Sequence, residues 1–364
     1  MNTNAQKKSL RNSRVELLRI ISMILIVAFH ATRMGCIETS QPFYIYFSGI
    51  VLGSWGILGV DIFVIISSYF LVDQNFKSQR LINIAFQTFT YLFLYFVLSF
   101  ILLLNNSHDV LFSTKKILVY FFECFFEPFW SRRYWFVTSY FFMILISPFL
   151  NYLICHTDKS CIKKLLFILV FIPIYVQFNR CTVSDIIAFC YIYLLVGYLK
   201  KHGESFINHH FKKRYIVGLF FVIIFGKILN YFPVPDFLKI IINKTVAATE
   251  RHSIILLIIA LMICFLVFQK KAFYNPIINK LALCVLGVYL LHEQSLIDFS
   301  NTLDFLINKC IDFGFINFGW FFPLQYFAIV LLVYVLATIF EYIRLLILNY
   351  SRHRLVIAPT QGKY

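Results

Sequence analysis

The sequence predicts an all-α fold: a polytopic membrane helix bundle of about ten transmembrane helices with both termini cytoplasmic. Three observations carry this reading. Apolar residues make up 60% of the chain and charged residues 14%, with a mean hydropathy of +0.78, outside the range of a soluble domain. The apolar residues fall in runs near the ~20 residues that cross a bilayer. Lysine and arginine concentrate in alternate connecting segments, with a bias of about two to one toward the side that holds the N-terminus.

The predicted spans are 15–33, 54–72, 81–104, 134–154, 165–179, 185–199, 215–232, 253–269, 281–297 and 320–343. They divide the chain into a cytoplasmic segment 1–14, a membrane domain 15–343 and a cytoplasmic tail 344–364. A net charge of +16 would point to nucleic acid in a soluble protein. Here the basic residues lie between apolar runs, so they fit topology and anionic membrane lipid, with no nucleic acid. The 44 phenylalanines and 22 tyrosines suit lipid contact and interfacial belts. Nine cysteines show no CxxC and no ligand spacing, so neither a disulfide framework nor a metal site is expected.

The first span, RVELLRIISMILIVAFH, begins like a signal peptide, with basic residues before an apolar run. Arg19 interrupts that run and no small-residue cleavage site follows, so retention as a membrane helix is expected. Arg19 and His30 are eleven positions apart, which leaves them about 20° apart around a helix and roughly 16 Å apart along it. Two ionisable groups on one face of a membrane helix form a polar track, and such groups are costly there without a role. The plainer reading is an arginine snorkelling to headgroups and a histidine bonded to a carbonyl.

The second span, GILGVDIFVIISSYFLV, places Asp61 after Gly59. An aspartate there must pair, protonate or meet water, and pairing with an arginine of another helix is the plain alternative. Residues 117–130 are apolar and aromatic but short, as an interfacial or re-entrant element would be. The fourth span follows Arg132 and Arg133 and opens on Tyr134 and Trp135. The rings fit an interfacial belt, whereas paired arginines beside aromatic faces suit an anion or a sugar. Spans five and six are short, with NRCTVSD between them, and KKHGESFINHHFKKR forms a cytoplasmic loop. The ninth span carries LGVYLLHEQ, in which Tyr289 can approach both His292 and Glu293. No P-loop, GxGxxG, GxSxG or HExxH is present, which argues against serine hydrolase and metalloprotease chemistry.

Taken together, Arg19 with His30, the segment GVDIFVIISSY (59–69), residues 134–149 ending in serine-proline, and YLLH (289–292) resemble the integral-membrane acyltransferase-3 family, which includes bacterial polysaccharide O-acetyltransferases. Ser67-Ser68 stands where the family often has serine-glycine, and the esterase-like extra-membrane domain of some members is not expected here. The resemblance implies an acyl-CoA donor, usually acetyl-CoA, entering from the cytoplasm, and no metal. It implies as acceptor a hydroxyl of a surface polysaccharide or its lipid-linked precursor, in the cell membrane of a bacterium. On that basis Arg19 would bind the donor, with His30 as general base or acyl carrier. Asp61, His292 and Glu293 would complete the catalytic group, and Tyr289, Arg132, Arg133, Tyr134 and Trp135 would hold the acceptor. A flippase for a lipid-linked oligosaccharide is the alternative, although the repeat symmetry common in transporters is not visible. A polysaccharide polymerase would be expected to carry a larger external loop.

Overall fold

The apolar run after Ser13 folds as α1 (Ser13–Met34). The structure is a computed structural model that describes residues 11–34, 42–106, 121–122, 126, 134–171, 182–244, 253–293 and 321–357. It is 86% helical, with no strand among the described residues. After α1 come α2 (Phe43–Tyr46), a π-helix (Phe47–Gly53), α3 (Gly56–Leu71), α4 (Ser78–Asn106) and α5 (Trp135–His156). There follow α6 (Lys159–Leu169), α7 (Thr182–His202), α8 (Glu204–His210), α9 (Lys213–Leu229) and α10 (Asp236–Lys244). The described chain closes with α11 (Ile254–Phe268), α12 (Pro276–Leu283), α13 (Val285–His292) and α14 (Phe322–Ile357).

Among the described residues, six stretches are long and apolar enough to cross a membrane: Ser13–Thr32, Phe43–Leu71, Ser78–Leu98, Trp135–His156, Val183–His202 and Phe322–Leu348. The predicted spans 215–232 and 253–269 correspond to shorter helices, α9 with 17 residues and α11 with 15. The span predicted at 165–179 begins inside α6, and its part from 172 onward lies outside the described residues. The described part of the ninth span falls on two short helices that meet at Cys284, and residues 294–297 lie outside the described residues. Pro276 sits in the first turn of α12, and the Asn275 side chain accepts from the Ile277 and Ile278 amides at 2.9 and 3.2 Å, a capped start.

The second span starts earlier than its apolar run indicates, because Phe43–Gly53 is helical too. The π-helix is held at both sides. Thr32 Oγ1 on α1 donates to the Gly49 carbonyl at 3.0 Å. Lys227 of α9, buried, lies 4.5 Å from the centre of the Trp55 ring and bonds Ser54 Oγ. A lysine inside the apolar layer is costly unless its donors are used, and here it caps the carbonyl end of an irregular helix.

The core is organised around α1 and α3. Helix α1 packs against α3, α11, α12, α13 and α14, and α3 packs against α7 and α11 as well. Helix α3 is apolar on every side and buried along almost its whole length, as a central helix should be. A Cβ at Gly59 would collide with the Ser22 carbonyl of α1; glycine therefore lets the two backbones touch, as small residues do between membrane helices.

Candidate active site

His30 sits near the outer end of α1, under the charge-based topology, and meets the end of α13. His292 is the last residue of that helix and Glu293 its C-cap. The Nδ1 of His292 lies 2.6 Å from the Val288 carbonyl oxygen. A carbonyl can only accept, so this nitrogen carries the proton and Nε2 of the neutral ring carries the lone pair. That Nε2 is 2.9 Å from His30 Nδ1, which must then be the donor. The tautomers follow from the hydrogen-bond network; in the neutral His30 ring the lone pair is then on Nε2. Glu293 Oε2 lies 2.7 Å from the same His30 Nδ1, close enough to act as a counter-charge. Both imidazoles are buried.

The rest of α13 is fixed so that these two residues cannot drift. The Tyr134 hydroxyl donates to the Leu290 carbonyl at 3.0 Å, and the Tyr95 hydroxyl to the Leu291 carbonyl at 2.6 Å. These are among the last four carbonyls of the helix, which have no partner within it. The Tyr289 ring stands edge-on to His292, with centres 5.9 Å apart, and packs against Tyr134 and Phe136. On the far side, Gly287 leaves room for the Glu341 carboxylate, into which a Cβ would run. Glu341, on α14, accepts from Gln87 Nε2 at 3.0 Å and from Arg344 Nε and NH2 at 2.7 and 2.6 Å, and also bonds Tyr91. This network ties α4, α13 and α14 together.

Toward the N-terminal end of α1, a cavity of about 600 Å³ opens between α1, α3, α4 and α5. Arg11, Glu16, Arg19 and Arg80 line its polar side, and Phe70, Tyr140 and Ile144 its apolar side. Arg19 NH1 bonds both oxygens of Glu16, at 3.0 and 3.1 Å, and its buried Nε has no hydrogen-bond partner among the described residues. Arg19 is therefore not merely snorkelling outward. It faces a chamber, one end of the helix face whose other end carries His30.

The structure thus brings His30, His292, Glu293, Tyr289 and Tyr134 together and puts Arg19 in a separate cavity on the same helix. Among the described residues no hydrogen bond joins the Asp61 carboxylate to that group. Asp61 is two positions beyond Gly59, about 200° around the helix, so it faces away from α1. It is fully buried next to Cys264 of α11, and neither carboxylate oxygen has a hydrogen-bond partner among the described residues. Trp135 is buried against Phe136 and Phe189. Arg132 and Arg133 lie outside the described residues. Sequence reasoning missed Glu16, Arg80 and Glu341 as functional neighbours. Glu16 with Arg19 and Glu341 with Arg344 are both acid–arginine pairs spaced i, i+3 in apolar runs, and that spacing is the signal that points to them.

The donor atoms of His30, His292 and Glu293 all lie within 4.8 Å of one another, a set of two imidazoles and a carboxylate that a divalent metal also accepts. Here the two facing nitrogens satisfy each other through one shared proton.

The chain is a helical membrane bundle that buries two imidazoles beside a carboxylate, and its match to a family model gives the class: a membrane acyltransferase. Residues 12–342 match the sequence-family model described as an acyltransferase domain, and the chain belongs to that family, acyltransferase-3. Neither a curated protein nor a solved structure shows significant similarity to the chain.

Proposed function

We propose that the chain is an O-acetyltransferase of a bacterial cell membrane, moving acetyl from acetyl-CoA to a sugar hydroxyl of a surface or exported polysaccharide or its lipid-linked precursor. The observation that supports it most is the track along α1. The arginine-lined cavity stands at one end and His30 Nε2 at the other, roughly 16 Å away. The donor's phosphates would rest on Arg19, Arg11 and Arg80, and its long pantetheine arm would carry the thioester toward His30.

His30 Nε2 takes the proton of the acceptor hydroxyl as that oxygen attacks the thioester carbonyl. The new bond is the C–O of the ester, the broken bond is C–S, and the proton passes from the imidazolium to the leaving thiolate. Glu293 stabilises the imidazolium while it exists, and His292 fixes which nitrogen of His30 is the base. Tyr134 acts through α13 by holding its end, whereas Tyr289 borders the space beside the two histidines. Arg132 and Arg133, adjacent to Tyr134 in sequence, are proposed to hold acidic groups of the acceptor.

The test is transfer of radiolabelled acetyl from acetyl-CoA to glycan in membranes that contain the chain. Transfer should survive a strong chelator. Loss of transfer that a divalent cation restores would replace the hydrogen-bonded histidine pair by a metal centre. Movement of lipid-linked oligosaccharide without transfer would replace the enzyme by a flippase.

A further inference from the structure

We propose that Glu16 is a resident counter-anion of the donor chamber: it occupies Arg19 until the donor's phosphates take that arginine over, and so sets donor affinity. This rests on the acyl-CoA reading above. Glu16 is 5% exposed and stands between two guanidinium groups of the cavity wall. Arg19 NH1 is 3.0 Å away on one side, and Arg11 Nε is 3.8 Å away on the other. Arg80 lines the same cavity. Three cations against one carboxylate leave the wall with two net positive charges.

Neither arginine is used to its capacity. Both oxygens of Glu16 fall on a single nitrogen of Arg19, so the two-pronged face of the guanidinium is not engaged, and Nε has no partner among the described residues. Arg11 makes only a long contact and its side chain is half exposed. A diphosphate uses two parallel N–H donors of one arginine, a geometry that Glu16 does not exploit. Once such a ligand sits on Arg19, the Glu16 carboxylate becomes a like charge within a few ångströms of it. Without ligand, the same carboxylate offsets the cost of holding Arg19 in a partly dry wall. One residue therefore steadies the arginine at rest and opposes the ligand when it binds. Only a donor carrying several negative charges overcomes that opposition.

The experiment is coenzyme A binding to the purified full chain in nanodiscs of neutral lipid, by titration calorimetry at two salt concentrations. Glu16→Gln keeps the shape and one hydrogen bond to Arg19 but removes the charge. It should bind coenzyme A about tenfold tighter at low salt, with a smaller gain at high salt. In steady state it should lower KM without raising kcat, because ground-state binding alone is improved. Glu16→Asp keeps the charge and should stay near wild type, which separates charge from folding. Wild-type binding together with unchanged or weaker binding by Glu16→Gln overturns this proposal alone. A wild-type protein that binds no coenzyme A overturns the donor reading, and this proposal with it.

Discussion

At the scale of single residues, His30 is the group on which the proposed chemistry depends. Replacing it by Ala removes a polar group from an apolar helix, so insertion should be preserved while transfer falls by a factor on the order of 10² to 10⁴. Transfer near the wild-type rate at equal protein level would refute the mechanism. Glu293→Gln should act differently. The counter-charge matters only while the imidazolium exists, so kcat should fall with KM nearly unchanged; a change confined to KM would assign Glu293 to acceptor binding instead. Arg19 and His30 are legible in the sequence because two costly groups share one helix face. His292 and Glu293 are legible as residues, but their meeting with His30 spans 262 positions, and periodicity within a helix says nothing about which helix it meets. Asp61 shows the converse. Its cost in hydrocarbon is plain from the sequence, but the face it occupies is set by where Gly59 lets α1 approach.

At the scale of elements, α13 is a helix of only eight residues, too short to hold itself. Its carbonyl end is tied by two tyrosine hydroxyls and its back by the Glu341 network. This gives Tyr134 a testable role distinct from stacking on a sugar. Tyr134→Phe keeps the ring but leaves the Leu290 carbonyl without its donor, at a cost of about 1 kcal/mol. It should lower both thermal stability and kcat while leaving acceptor KM unchanged; a rise in acceptor KM alone would return Tyr134 to the acceptor site. The same short elements explain what the sequence conceals. Hydropathy reads 281–297 as one run, since an apolar stretch gives no sign of the break at Cys284. Likewise the π-helix Phe47–Gly53 differs from an α-helix only in hydrogen-bond register, which side-chain character does not encode.

At the scale of the whole molecule, the charge-based topology puts the arginine-lined cavity on the cytoplasmic side, where coenzyme A is found, and His30 toward the outside. Cysteine introduced at Asn106 should react with a membrane-impermeant thiol reagent in intact cells. Cysteine at Ser205, on the exposed surface of α8, should react only after permeabilisation. Gly203 is the wrong neighbour for this purpose because a side chain there runs into the Leu199 backbone. Labelling of the Ser205 site from outside would invert the bundle and move the donor chamber to the wrong compartment. The all-helical fold is legible from composition alone, since a bilayer leaves few other ways to satisfy the backbone. The exact spans are less so, because 17- and 15-residue helices such as α9 and α11 sit at the margin of any length rule.

The end of α13 at His292 has an electrostatic consequence. A helix that crosses the bilayer leaves its poles at the two headgroup layers, where water and salt mute them. This one stops at buried His292, beside His30, so its carbonyl pole, lessened by the two tyrosine hydroxyls, acts on that imidazole in a poorly screened interior. In the proposed mechanism the backbone itself therefore helps to hold a proton on that imidazole midway through transfer. Removing the Glu293 carboxylate leaves this field in place, so such a variant should lose less transfer than the His30→Ala variant does.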